Sequence, residues 1–179
     1  ANHTLLWYTD AVGGTGNPVA PVPATTAVGN TSYYVSLTDT NGCVGPRTEI
    51  VVQVNALPVA TITAPAPVCS GTTATVTFNG TPNAVVTYTN GTTNATVTLD
   101  GTGAGSATVG PLTATTTYDL VSVATAGPPA CSQPQTGSAT ITVKTLPTAT
   151  ISGPALVCSG STGVVTVNGT PNAIVTYTD

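Results

Sequence analysis

Two stretches of this chain repeat each other. Residues 146–179 read LPTATISGPALVCSGSTGVVTVNGTPNAIVTYTD, and residues 57–90 read LPVATITAPAPVCSGTTATVTFNGTPNAVVTYTN. Leu57 and Leu146, Cys69 and Cys158, Pro82 and Pro171, and Tyr88 and Tyr177 are each 89 positions apart. A fixed period of this kind is the signature of a repeat architecture, and each unit is expected to be a self-contained sandwich strung end to end with its neighbours. The opening residues join the same frame. LLWYTD, ending at Asp10, aligns with IVTYTD, ending at Asp179; Ser32–Cys43 aligns with Thr117–Cys131, and Ile50–Pro58 with Thr140–Pro147. The expected organisation is the C-terminal part of one repeat over 1–56, a complete repeat over 57–145, and the N-terminal part of a third over 146–179. The chain then reads as a window cut from a longer array.

Only eight of the 179 residues are Lys, Arg, Asp or Glu, far below the usual quarter. Hydroxyls must therefore keep the surface wet, and Thr, a stiff β-branched residue suited to a half-buried pleat, is abundant. There is no Met and only one Glu, one Lys and one Arg, so strong helix formers are scarce, while 19 Gly and 15 Pro punctuate the chain. Period-2 alternation between turn signals predicts strands in the complete repeat near 59–63, 73–79, 84–89, 94–99, 105–110, 116–124 and 137–143. Seven short strands in about 90 residues predict an all-β, immunoglobulin-like sandwich. Asn90-Gly91 and Asp100-Gly101 are expected to form tight hairpin turns, with Asn79-Gly80 and Asn168-Gly169 as similar signals.

Between repeats almost no linker exists. Asn55-Ala56-Leu57-Pro58 and Lys144-Thr145-Leu146-Pro147 lead straight into the next strand. Proline fixes its own φ and holds the preceding residue extended. A short Pro-stiffened joint, with Leu to bury against a neighbouring repeat, predicts a semi-rigid rod in place of flexible beads.

The repeat frame assigns the four cysteines. Cys69 and Cys158 stand early in their repeats, Cys43 and Cys131 late. The leading expectation is a Cys69–Cys131 disulfide inside the complete repeat, with Cys43 and Cys158 pairing outside the chain. Such a bridge would close a loop of about 62 residues, for a contribution of roughly 4 kcal/mol on the loop-entropy estimate, and would imply an oxidising compartment. Cys43–Cys69 and Cys131–Cys158 pairing across the joints has similar spacing and stays open, as do four reduced thiols.

Chemistry-bearing residues are few. With Arg47 and Lys144 as the only Lys or Arg and a net charge of −4, no basic stripe can neutralise phosphates, which excludes nucleic acid as a partner. No apolar run approaches the length of a membrane span. His3, the one imidazole, reads as a strand residue, and the complete repeat has no imidazole to activate a Ser or Cys nucleophile. Asp100 and Asp119 form the one conceivable glycosidase pair, but Asp100-Gly101 reads as a turn and Asp119 as a strand surface residue. Asp39-Thr40-Asn41-Gly42 starts like a calcium loop and lacks its later ligands, so a turn is expected. Gly101–Gly105 shares only its glycine content with a phosphate loop, having no helix after it. No catalytic residue, metal site or cofactor is expected. Trp7 is expected in a sandwich core, with an exposed sugar-stacking role as the alternative; Tyr33 and Tyr118 are read as structural. The Thr-x-Thr pairs, such as Thr61/Thr63 and Thr75/Thr77, are expected to pave an uncharged, wettable outer face. Asn2, Asn30, Asn79, Asn90, Asn94 and Asn168 head N-x-[ST] triplets, most of which chance explains in so Thr-rich a chain.

The stretches YYVSLTDTNGC, VCSG, LPTATISG and WYTDAVGGTG resemble the immunoglobulin-like repeats of very large Bacteroidota surface proteins, above all the SprB-type gliding-motility adhesins. The resemblance implies export by the type IX secretion system, display at the extracellular cell surface as outer-membrane-attached filaments, and adhesion during gliding. The partners it implies are adjacent repeats, surface glycans or abiotic surfaces, and the outer-membrane secretion and motility machinery. The alternative is a set of non-catalytic spacer repeats in a secreted type IX substrate such as a polysaccharide-degrading enzyme.

Overall fold

A computed structural model of the chain describes residues 4–127 and 130–178. Every regular element among them is a β-strand, and the chain divides into two compact units, up to Pro58 and from Val59 onward.

The first unit is a single antiparallel sheet of three strands, β1 (Thr4–Tyr8), β2 (Gly29–Thr38) and β3 (Thr48–Val54), in that order. Trp7 lies opposite Val35, and Tyr8 opposite Tyr34. Because side chains alternate between faces, Leu5, Trp7, Tyr33, Val35 and Leu37 share one face, while Tyr8, Tyr34 and Ser36 share the other.

The second unit contains the complete sandwich. One layer is β4 (Ala60–Thr63), β6 (Thr72–Gly80) and β9 (Ala104–Leu112), with β6 in the middle. The other is built from β7 (Val85–Thr89), β8 (Asn94–Thr98), β10 (Thr116–Ala124), β11 (Ser132–Pro134) and β12 (Ser138–Ile141), in which β10 pairs with β7 on one side and with β11 and β12 on the other. Two short strands, β5 (Val68–Cys69) and β13 (Val143–Lys144), form a parallel pair. Thus the chain segment that leaves the β4 layer crosses to the end of the β12 strand.

The alternation that predicts strands also makes the core. Along β6 every second residue turns inward: Ala74, Val76 and Phe78 are buried, whereas Thr73, Thr75 and Thr77 face solvent. Val86, Tyr88, Tyr118, Leu120, Val123 and Ile141 meet them from the opposite layer. Phe78 and Tyr88 place their ring centroids 5.0 Å apart, and Tyr88 and Tyr118 6.2 Å, both tilted. Such pairs add about 0.5–1.5 kcal/mol beyond the area they bury. Burial and the neighbouring Tyr88 push the Tyr118 hydroxyl pKa up, consistent with a structural residue.

The remaining strands are β14 (Ala149–Ser152) and β15 (Thr166–Gly169), an antiparallel pair in which every residue is exposed.

Three local expectations are corrected. Asn79-Gly80 lies within β6, and the chain turns at Thr81–Asn83, where Asn83 takes a positive φ of 58°. Asp100-Gly101 joins β8 in one layer to β9 in the other, so it crosses between sheets and closes no hairpin. Asn168-Gly169 likewise lies within β15, and the turn follows it, with Asn172 at a positive φ of 63°.

Candidate functional site

Each layer of the sandwich turns a hydroxyl-rich face outward. On the β4–β6–β9 layer, Thr63 stands opposite Thr77, which stands opposite Ser106, and Thr75 stands opposite Thr108. On the other layer Thr87 faces Thr96, and the Thr117 and Thr140 hydroxyls hydrogen-bond at 2.9 Å. Thr61 donates to the Asn79 carbonyl at 3.1 Å. The expected Thr-x-Thr faces are therefore present, and cross-strand pairing orders them. They offer donors and acceptors without charge, so contacts they make are insensitive to salt screening.

The residues considered for chemistry do not converge. Asp100 Oδ1 accepts hydrogen bonds from the Thr102 hydroxyl at 2.6 Å, the Thr102 amide at 2.8 Å and the Ala104 amide at 2.9 Å. These bonds, the Thr102 hydroxyl first, lower its pKa from the ordinary carboxylate value. Its backbone carbonyl accepts from Asn83, just before β7, whereas Asp119 stands opposite Thr89 at the far end of β7. At 3.3 Å per residue the two sites are about 16 Å apart along that strand, too far for a glycosidase pair. Asp39 Oδ1 accepts from the Asn41 and Cys43 amides at 2.9 and 2.8 Å, which makes Asp39–Cys43 a turn. No three His, Cys, Asp or Glu residues approach one another among the described residues. His3 and Asn2 lie outside the described residues.

The fold shows where the cysteines of the sandwich stand. All four thiols are free, and the fold separates the two that were expected to pair. Cys69 stands beside Lys144 in the β5–β13 pair; this is the Thr116 end of β10, since Ile141 pairs with Thr116 and the Val143 amide donates to the Thr115 hydroxyl. Cys131 is held at the other end: its carbonyl accepts from the Thr125 amide at 2.9 Å, and its amide donates to the Thr125 hydroxyl at 2.9 Å. The length of β10 sets them about 30 Å apart, whereas a disulfide needs Cα atoms about 4.4–6.8 Å apart. In this arrangement the two cysteines stand well outside that range. The alignment placed both cysteines in one unit without saying that they occupy opposite poles of it.

Trp7 also needs a change of frame. The alignment matched Tyr8 to Tyr88, but Trp7 lies opposite Val35 as Tyr88 lies opposite Leu120. Counting from the matched tyrosines Tyr33 and Tyr118, Val35 corresponds to Leu120, so Trp7 takes the place of core residue Tyr88. Tyr8 is on the reverse face, where the Arg47 guanidinium lies 3.4 Å from its ring centroid. Arg47 also donates to the Asp10 and Gly13 carbonyls at 2.6 and 2.5 Å. Composition alone gave no signal for this clamp, because Arg47 had no acidic partner to suggest its role.

Hollows open on the first unit and on the Ala149–Tyr177 segment. One of about 320 Å³ is lined by Trp7 and Tyr33 together with loop residues of the first unit. Two more, of about 490 and 190 Å³, share Ile151, Val167 and Tyr177. Each lies on a face whose counterpart in the Val59–Lys144 sandwich is covered by the second layer.

Two antiparallel layers packed across an alternating core, with hydroxyl-paved outer faces, define an all-β immunoglobulin-like repeat protein. Consistent with that, residues 1–56 match the family model described as Ig-like domain, CHU_C associated, a Bacteroidota-type Ig-like domain. No curated protein matches the chain. Domains of this kind are typical of secreted or cell-surface proteins and are typically non-catalytic.

Proposed function

We propose that this chain is a structural and adhesive repeat segment of a long cell-surface filament, of the gliding-motility or surface-adhesin type. The observation that carries the reading is the complete sandwich over Val59–Lys144: a self-contained core with Thr-paved faces, recurring in sequence every 89 residues. In a serial array, stability is approximately a sum of unit and neighbour terms, so local damage stays local. Reach scales with repeat number. An uncharged hydroxyl surface suits contact with glycans or abiotic surfaces, where ion pairing would vary with salt. Adjacent repeats and the type IX export and motility machinery of the outer membrane complete the proposed set of partners.

Antibodies raised against the chain test this on intact cells. Labelling of extended surface structures, together with weaker attachment in the presence of monovalent antibody fragments, is the expected result. Signal found only after lysis, or only in culture fluid together with a polysaccharide hydrolase, would overturn it.

A further inference from the structure

A sheet presents unpaired main-chain groups at its edges, and most edges of the Val59–Lys144 sandwich are closed or blunted. On one side the β5–β13 pair ties the chain after β4 to the chain after β12, and Gln135 Oε1 accepts from the Ala60 amide at 3.4 Å. β11 carries Pro134, and Pro111 stands near the end of β9. β8 has none of these devices. Asn94–Thr98 holds no Pro and no charge, pairs with β7 without a bulge, and among the described residues has no strand on its other side. The Asn90 amide donates to the Thr93 carbonyl and the Leu99 amide to the Ala84 carbonyl. Partners alternate along an antiparallel ladder, so Ala95 and Val97 turn their main-chain groups to β7. Asn94, Thr96 and Thr98 turn theirs to the open side.

We infer that the open edge of β8 takes a second copy of this chain, the two β8 strands pairing antiparallel about a two-fold axis at Thr96. In that register Thr96 meets Thr96 and Asn94 meets Thr98 of the second copy, so each amide on the open edge finds a carbonyl, as in other strand-addition contacts. The side chains fit the same register. On the outer face the Ser122–Thr87–Thr96 row continues into Thr96 of the second copy, and Thr–Thr pairs across strands are favourable. On the inner face Ala95 lies opposite Val97 of the second copy. Charge selects the occupant: the strand is neutral, so like strands meet without repulsion, and Asp100, the nearest charged residue along the chain, falls outside the paired stretch. A charged peptide would find no counter-charge here. The contact uses the same patch on both copies and closes at a dimer. One five-residue edge buries less than the roughly 1,200 Å² of a stable interface, so the single contact is weak; linked in series, such contacts add. The inference goes beyond the adhesive reading and does not depend on it.

The test is the mass of the 17.5 kDa chain in solution, followed by sedimentation up to millimolar concentration at low salt. The native chain is expected to rise toward twice its monomer mass. Thr96→Pro removes an amide that the fold itself leaves unpaired, a position where an edge strand accepts Pro, and is expected to abolish the rise while keeping the native urea midpoint. Thr96→Lys and Thr96→Glu each set like charges face to face at the two-fold axis and are expected to stay monomeric alone. Mixed in equal amounts they are expected to form a heterodimer, a gain that no unfolded variant could give. A native chain that stays monomeric at millimolar concentration overturns the inference. So does association that Thr96→Pro leaves unchanged, or a Lys–Glu mixture no heavier than its components.

Discussion

Residues 57–90 and 146–179 are identical at 24 of 34 positions, and their local structure is nearly the same. The Thr81 hydroxyl accepts from the Val59 amide at 3.0 Å, as the Thr170 hydroxyl accepts from the Thr148 amide at 2.9 Å. Asn83 and Asn172 both take positive φ, at 58° and 63°. Their fates diverge where partners are needed. Val76, Phe78 and Tyr88 are 0, 1 and 7% exposed, against 60, 42 and 79% for Val165, Val167 and Tyr177. β6 runs for nine residues beside β9, whereas β15 has four, and the counterpart of β7 forms no strand. The turn and the first hairpin are encoded locally; the length of the strands and the core come from the opposing layer and from β9.

The largest expected contrast follows from that difference. Phe78→Ala removes a ring packed on Tyr88 and is expected to destabilise the complete repeat by about 3–5 kcal/mol. The matched change Val167→Ala, at an exposed site, is expected to move stability by less than about 0.5 kcal/mol. Urea unfolding of the two variants measures both; equal shifts would break the comparison.

Hydrogen exchange sharpens it residue by residue. The amides of Val76 and Val123 are expected to exchange only through global unfolding, and those of Val165 and Val175 to exchange through local opening, orders of magnitude faster. Protection at Val165 matching that at Val76, in a chain held monomeric, would show that the terminal hairpin carries a core of its own.

Much of the fold was legible in the sequence for the same reason the hairpin is. Alternation along Thr72–Gly80 and Thr116–Ala124 records which residues face inward, and those strands were placed to within two residues. Pairing between short, distant segments leaves no such trace. β5 and β13 contribute two residues each, in a parallel contact, and β11 has three; none is long enough to show a period. The frame error at Trp7 came from matching letters, since YTD recurs while the pairing with β2 is shifted by one residue. The poles of the cysteines were hidden because a repeat reveals equivalence between units but not the direction in which each strand runs.

That hidden direction yields a smaller expected effect. With Cys69 and Cys131 at opposite poles, the double change Cys69→Ser/Cys131→Ser is expected to alter stability by under about 1 kcal/mol, where loss of a bridge over this loop would cost roughly 4 kcal/mol. Peptide mapping of air-oxidised protein under non-reducing conditions is expected to recover no Cys69–Cys131 pair, and recovering it in folded protein would overturn the strand order derived for β10 and β13. Any bridge either cysteine makes has to reach outside its own sandwich.

The smallest effect belongs to the crossing between layers, a segment of the complete repeat with no counterpart in 146–178. Asp100 is held by the Thr102 hydroxyl and the Thr102 and Ala104 amides, which lower its folded pKa from 3.8. A carboxyl depressed on folding stabilises the fold above its unfolded pKa and loses that contribution as pH falls through the lower folded value. Asp100→Asn is therefore expected to lower the urea midpoint slightly at neutral pH, with the two proteins converging below about pH 4. The carboxylate is fully exposed, so solvent keeps the difference small. A gap that persisted unchanged into acid would show that the turn depends on the shape of the side chain and not on its charge. The crossing would then be set locally, like the turn at Asn83, and not by the pairing of the two layers.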